Sequence, residues 1–115
     1  MRSRFDDQLD VLNTAMITMG SLCEQAIATA AKALAEGNAH LAKEVADLSE
    51  QIDQKEREIE GMCLKLLLQQ QPVAKDLRTI SSALKMITDM ERIGDHATNI
   101  AEWVIFSITG NREGN

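Results

Sequence analysis

Apolar residues recur along almost the whole chain at alternating steps of three and four, the spacing that gathers them on one face of an α-helix. In the first third of the chain these positions are Phe5, Leu9, Leu12, Met16, Met19, Cys23, Ala26, Ala30 and Leu34. In the middle third they are Leu41, Val45, Leu48, Ile52, Ile59, Met62 and Leu66. In the last third they are Val73, Leu77, Ile80, Leu84, Ile87, Ala101, Ile105 and Ile108. The pattern predicts three long amphipathic helices.

Residues typical of turns and caps interrupt this pattern at two places inside the chain. Gly37 offers a left-handed helix end and Asn38 a cap for the next helix, while Pro72 suits the first turn of a third. Ser3, with Asp6 three residues later, is the expected first cap. The predicted helices cover about residues 3–36, 39–70 and 72–109. Since both links are short, neighbouring helices must run antiparallel, and the predicted fold class is all-α, an up-down-up bundle of three long helices.

Composition narrows the class of protein further. A chain of 115 residues fits one domain, and its 3% aromatic content argues against a β-sandwich. The net charge of −6 gives no electrostatic attraction to nucleic acid or anionic lipid. Two cysteines forty residues apart suggest neither a disulfide framework nor a zinc finger, which favours a cytoplasmic location. The sequence shows no signal peptide and no run of about 20 apolar residues, so we expect no membrane insertion.

The apolar seam of the third helix fails in one place. After Ile87 its positions are taken by Glu91, Gly94 and Thr98, and Asp95 lies one helical turn from Glu91 on the same face. Two carboxylates at this spacing repel each other unless a positive charge lies beside them. A glycine inside a helix costs about 1 kcal/mol relative to alanine and is usually kept where another element approaches closely.

The antiparallel connections indicate which residues share the level of this gap. The turn near residues 71–72 places Asp53 level with Glu91, and the turn near 37–38 adds Glu24 from the first helix. Asn99 continues the line of Glu91 and Asp95 by one more turn and could supply a neutral oxygen ligand or only a hydrogen bond. Level alone does not fix the direction in which a side chain points. A cation site is therefore one interpretation, and the other is a solvated face with ordinary ion pairs.

Three basic residues are candidates for ordinary ion pairs with the two acids of the third helix. They are Arg92, Arg78 and Lys85, which could pair with Glu91 and Asp95 on a solvated face. Surface pairs of this kind contribute about 0–1 kcal/mol to stability. His96 follows Asp95 directly, but successive residues on a helix point about 100° apart, so we expect an ordinary surface histidine.

Three segments of the chain resemble the PhoU domain, the helical unit of phosphate-uptake regulators. They are DMERIGDHATNIAEWV from Asp89, QQQPVAKDLRTISSALK from Gln69 and MGSLCEQAI from Met19, in the family's order and spacing. The resemblance implies a cytoplasmic negative regulator of the phosphate regulon. It further implies a protein that works beside a phosphate ABC transporter ATPase and its partner sensor histidine kinase.

The same resemblance implies a metal site. Family members can bind multinuclear iron or zinc clusters through [E/D]-x-x-x-D motifs, and Glu91 with Asp95 matches that motif in full. The comparable pair on the second helix would be Ser49 and Asp53, of which only Asp53 is a carboxylate. The expected metal ligands are therefore Glu91, Asp95, Asp53 and Asn99. The usual protein carries two such domains in tandem, and this chain corresponds to one.

Two functions of different classes remain after this comparison. The favoured one is a regulator without enzymatic activity, and the alternative is a ferritin-like oxidoreductase with two metal ions bound by carboxylates. Ferritin-like sites take Glu-x-x-His motifs from two helices. Here His40 has Gly37 three residues before it and His96 has Ile93, so the motif is absent. We therefore expect the chain not to be an enzyme.

A second apolar stripe on the third helix predicts a partner. It comprises Met86, Met90, Ile93, Ala97, Ile100 and Val104, with Trp103 and Phe106 near its end. A helix that is apolar on two sides needs neighbours on two sides, and the second neighbour is either a second domain in tandem or a copy of the same chain. We expect a homodimer in which this helix packs against a second copy, because most soluble homo-oligomers are two-fold dimers.

Overall fold

A computed structural model describes residues 3–69 and 72–110 of the chain and shows three helices in antiparallel succession. Helix α1 spans Arg4–Glu36, α2 spans Ala39–Gln69 and α3 spans Ala74–Thr109, with no strand in the described ranges. All three pairs of helices are in contact, which makes an elongated bundle of 58 × 25 × 17 Å. The predicted fold class is confirmed. None of the helices in the described ranges has the length and apolar character needed to span a membrane.

The caps of α1 and α2 follow the sequence closely. The amide of Asp6 donates to Ser3 Oγ over 3.1 Å while the amide of Ser3 donates to Asp6 Oδ2 over 3.2 Å, a reciprocal capping box. Gly37 ends α1 with φ of 62°, a conformation that costs glycine little. The amide of Leu41 then donates to Asn38 Oδ1 over 3.1 Å and satisfies one free donor of α2.

The start of α3 differs from the prediction by two residues. Ala74 is the first helical residue and Val73 is the cap, so Pro72 precedes the helix instead of occupying its first turn. The Val73 backbone is extended, with φ of −77° and ψ of 170°, and its carbonyl accepts from the Leu77 amide over 3.0 Å. The cap is thus made by the backbone alone. Residue 70, the predicted end of the second helix, lies outside the described residues.

The core contains most of the predicted apolar positions. The largest fully buried side chains are Met19, Val45, Ile52, Ile59, Cys63, Ile80, Ile87 and Val104. Leu34, Val73, Leu77 and Ile108 were expected in the core and are exposed instead, all within a few residues of a helix end. A side chain there has fewer neighbouring turns to cover it. Near the connection between α1 and α2, the small residues Ala33 and Ala42 are buried in the core.

The second apolar stripe of α3 divides into two sets. Ala97 and Val104 are buried in the core, whereas Met86, Ile93 and Ile100 remain exposed and Met90 is half-buried. The prediction of one outward stripe was therefore wrong for Ala97 and Val104. The physical reason is that α3 contacts two helices of its own bundle, so its buried arc is wider than a single seam.

Candidate metal site

Three carboxylates from two helices converge midway along the bundle. Asp53 comes from α2, and Glu91 and Asp95 come from α3. One oxygen from each lies within 4.8 Å of the others. Asp53 and Glu91 are half-buried and Asp95 is exposed, so the group lies at the surface of the groove between the two helices. The predicted association of these three residues is found.

Gly94 explains why the two helices can come this close. It is buried, and a Cβ built on it would lie 3.2 Å from Cδ1 and 3.5 Å from Cγ2 of Ile52. Ile52 is fully buried and precedes Asp53, while Gly94 lies between Glu91 and Asp95 in the sequence. Close packing of one glycine against one isoleucine therefore brings carboxylates from both helices to the same place.

The electrostatics of the group are unfavourable without a cation. Burial raises the pKa of Glu91, and the negative charge of Asp95 raises it further, together with a hydrogen bond between the two side chains. Glu56 and Asp53 add to the rise. All these causes act in the same direction, because each one penalises the charged form of Glu91. A cation bound beside these carboxylates would oppose the rise, because it favours the charged form of Glu91.

Ordinary ion pairs do not relieve this repulsion. Lys85, a candidate partner for Glu91, instead binds Asp89 with its Nζ 3.0 Å from Oδ2. In residues 3–69 and 72–110, no lysine or arginine forms an ion pair with Glu91 or Asp95. The ion pairs named for the solvated-face interpretation are therefore not formed in the described part of the chain, although Asp95 is exposed as that interpretation expects.

Sequence analysis missed one member of this acidic region, Glu56. It is half-buried on α2, and its pKa is raised by burial first and then by Asp53, Glu60 and Asp95. The signal was present in the sequence, because Glu56 lies three residues after Asp53, a spacing that places both on one face of a helix.

The other residues considered in the sequence lie elsewhere or stay untested. Glu24 is exposed on α1 and does not belong to the three-carboxylate group, although it was expected at the same level. His96 is exposed and also outside the group, as expected of a surface histidine. Asn99 is exposed one turn beyond Asp95, and its role as a ligand stays a prediction.

The donor set indicates what the site can hold. Three carboxylate oxygens within 4.8 Å of one another suit a hard or borderline divalent cation, with water filling the remaining positions. Histidine and thiolate are absent from the group. The residues present therefore fit a cation site built from carboxylates. The elongated bundle of three antiparallel helices defines the class of the protein.

Comparison with known proteins gives that class a family. The family model of the PhoU domain matches residues 16–104. A phosphate-specific transport system accessory protein PhoU homolog from Pseudomonas putida is 41% identical over 102 residues, which cover 89% of this chain and 40% of that protein. The homolog from Aquifex aeolicus is 40% identical over 98 residues, covering 85% of this chain and 44% of that protein. The chain belongs to the PhoU family.

A solved structure supports the same placement. The crystal structure of PhoU from Pseudomonas aeruginosa superposes with a TM-score of 0.90 at 34% identity, covering 97% of this chain and 54% of that one. The chain thus spans about half the length of the relatives it matches. The ferritin-like alternative has no support from these relatives, and the three-carboxylate group lacks the histidine of a Glu-x-x-His motif.

Proposed function

We propose that this chain acts as a regulator of phosphate uptake and phosphate homeostasis without enzymatic activity of its own. In this proposal it is a cytoplasmic negative regulator that acts on a phosphate ABC transporter ATPase and on the sensor histidine kinase that signals phosphate supply. The observation that carries the proposal is the close match to PhoU accessory proteins in both sequence and fold. Those relatives are about twice as long, so the proposal extends their role to a single bundle.

Complementation tests this role directly. The chain is expressed in a bacterium whose own PhoU gene is deleted, and a phosphate-regulon reporter is measured in phosphate-rich medium. We expect the reporter to fall toward its repressed level. An empty vector gives the fully induced reporter level, and the full-length relative gives the repressed level. A reporter that stays fully induced while the chain accumulates as folded protein would contradict the proposal.

We further propose that Asp53, Glu91 and Asp95 bind iron or zinc, with Asn99 as an additional oxygen ligand. Support comes from the 4.8 Å grouping of the three carboxylates and from the raised pKa of Glu91. A cation at this position would offset the mutual repulsion of the acids. The metal then has a structural role, joining α2 and α3 at the level of Gly94.

Elemental analysis of purified protein tests the metal site. The double variant Glu91→Gln with Asp95→Asn should lose its iron and zinc while circular dichroism stays helical. A matched control, Glu44→Gln with Asp47→Asn, removes the same charge from exposed positions on α2 and should keep the metal. Equal metal content in the parent and in the Glu91 and Asp95 variant would show that the site is assigned to the wrong residues.

We also propose that the chain functions as a homodimer through α3. The exposed side chains of Met86, Ile93 and Ile100 support this, because a row of aliphatic side chains in water is unfavourable. A second copy supplies the apolar neighbour that these residues lack within one bundle.

A further inference from the structure

A groove of about 640 Å³ lies between α1 and α3, in the half of the bundle near the connection between α2 and α3. Its lining on α3 runs from Lys75 to Met86, eleven positions or about 16 Å at about 1.5 Å per residue. Small-molecule sites have volumes of about 300–1,000 Å³, so this groove has the size of one. The candidate metal site lies elsewhere, between α2 and α3. The groove is therefore a separate feature of the bundle.

The character of the groove changes along its length. Lys75 and Arg78 line the end nearest the start of α3, and Met86 lines the other end. Thr79 and Ser82 lie between them. The groove thus has a cationic end and an apolar end about 16 Å apart. A ligand that fits both must carry a negative charge at one end only.

The two cations at the charged end are available to a ligand. In the ranges that the structure describes, neither Lys75 nor Arg78 forms an ion pair, and both side chains are exposed. No acidic residue lines the groove, although the chain has 18 acidic and 12 basic residues. Arginine presents a planar fork that can bind both oxygens of a carboxylate, and lysine adds a second charge. This end therefore favours a carboxylate.

The rest of the groove suits an aliphatic chain. Its floor consists of Leu12 and Ala83, which are buried in the core, and its rims carry Met16, Ile17 and Met86. Methionine side chains adapt to an irregular apolar ligand. Ile17 is 74% exposed, so a chain lying in the groove would remove apolar surface from water. No aromatic residue lines the groove, so it offers no ring on which a nucleobase could stack.

We propose that this groove binds the anion of a fatty acid. The carboxylate lies at Lys75 and Arg78, and the hydrocarbon chain extends over Leu12 and Ala83 toward Met86. The groove ends at Met86, where the row of α3 side chains proposed for the homodimer begins. The site shares no residue with the candidate metal site and does not depend on the proposed regulatory role.

Titration calorimetry with laurate tests the site. Laurate is kept below its micelle concentration, at a pH well above the pKa of the free acid. The parent should bind one laurate per chain. Full burial of a methylene group strengthens binding about fourfold, and half burial in an open groove about twofold, so decanoate should bind about fourfold more weakly than laurate. Equal affinities for the two acids, or laurate binding that does not saturate at one per chain, would overturn the proposal.

Charge variants test the carboxylate end of the groove. Lys75→Gln with Arg78→Gln should weaken laurate binding about tenfold, because two exposed ion pairs with the carboxylate are lost. The matched control, Lys32→Gln with Arg57→Gln, removes one lysine and one arginine from exposed positions outside the groove. It should bind laurate as the parent does. Equal effects of the two double variants would overturn the assignment of the carboxylate to this end.

Two neighbouring serines test the path of the hydrocarbon chain. Ser81 and Ser82 are both exposed on α3, but only Ser82 lines the groove. Ser82→Glu places a negative charge beside the chain and should weaken laurate binding at least about fivefold. Ser81→Glu points about 100° away and should change it by less than about twofold. Circular dichroism checks that both variants are helical. Equal affinities of the two variants would contradict the proposed path.

Two other probes distinguish a fatty acid from other sources of negative charge. Inorganic phosphate lacks a hydrocarbon chain and should not displace laurate. Vesicles of phosphatidylglycerol should not sediment the protein, because the net charge of −6 is repelled by an anionic surface. Displacement of laurate by phosphate would overturn the proposal in favour of a phosphate site. Sedimentation with vesicles that is lost in the Lys75 and Arg78 variant would overturn it in favour of a membrane surface.

Discussion

The contact between Gly94 and Ile52 leads to a quantitative prediction about stability. Replacing Gly94 by alanine removes backbone freedom from the unfolded chain and improves helix propensity by about 1 kcal/mol. The new Cβ, however, lies 3.2 Å from Ile52 Cδ1, and Ile52 is fully buried and has little room to move. Overpacking a core by one carbon typically costs about 1–3 kcal/mol. We therefore expect Gly94→Ala to lower the free energy of unfolding by about 0–2 kcal/mol.

Two further variants separate the cost of the contact between Gly94 and Ile52 from the gain in helix propensity. Gly61 lies in α2, is exposed and has no heavy atom within 4 Å of a built Cβ, so Gly61→Ala should stabilise the protein by about 1 kcal/mol. Ile52→Val removes the methyl group that Gly94→Ala would meet, at a cost of about 1 kcal/mol on its own. In the double variant the clash disappears, and the two changes should show a favourable coupling of about 1 kcal/mol.

Urea denaturation at one fixed protein concentration measures the parent and the four variants, with chelator present so that metal binding does not contribute. The difference between Gly61→Ala and Gly94→Ala gives the cost of the contact, and the double-mutant cycle assigns that cost to Ile52. If Gly94→Ala stabilises the protein as much as Gly61→Ala and the cycle shows no coupling, then α2 and α3 are not held at the separation described.

Other predictions concern the acidic group and the caps. In the metal-free protein, Glu91→Gln with Asp95→Asn should be as stable as the parent or slightly more stable in urea, because it removes repulsion. Chelation should lower the melting temperature of the metal-loaded parent and leave that variant unchanged. In Asp95→Asn, carboxyl NMR should show the pKa of Glu91 falling toward its ordinary value. A raised pKa means that the folded state holds the proton more tightly than the unfolded state does. The metal-free parent should therefore become more stable as the pH falls through the pKa of Glu91. Asn38→Ala should lose about 1 kcal/mol of stability in the same urea assay.

The fold could be predicted from the sequence because the apolar spacing and the capping residues indicated the same three helices. The steps of three and four residues predicted the helices, and the caps at Ser3 and Asn38 fixed where two of them begin. The exception was Pro72. A proline at the first helical position and a proline just before the cap look alike in a sequence, and only the extended backbone of Val73 distinguishes them.

The position of the candidate site along the bundle could be predicted from the sequence, but the direction in which each side chain points could not. Chain connectivity placed Asp53 near Glu91, and the structure confirms it. The same reasoning placed Glu24 at that level, yet Glu24 does not join the group, because level along a bundle says nothing about rotation around a helix. Glu56 was missed because the [E/D]-x-x-x-D motif considers only acids four residues apart. Glu56 lies three residues after Asp53.

Gly94 connects these observations. Almost any other residue except proline would have favoured the helix more than glycine does at this buried position. A larger residue would push Ile52 away and carry Asp53 with it, since the two are adjacent on α2. The separation between the carboxylates of the two helices is therefore set by a residue that cannot itself bind a cation. Glu91, Gly94 and Asp95 therefore interrupt the apolar seam as one feature. The glycine lets α2 approach α3, and this approach brings Asp53 close to the two acids.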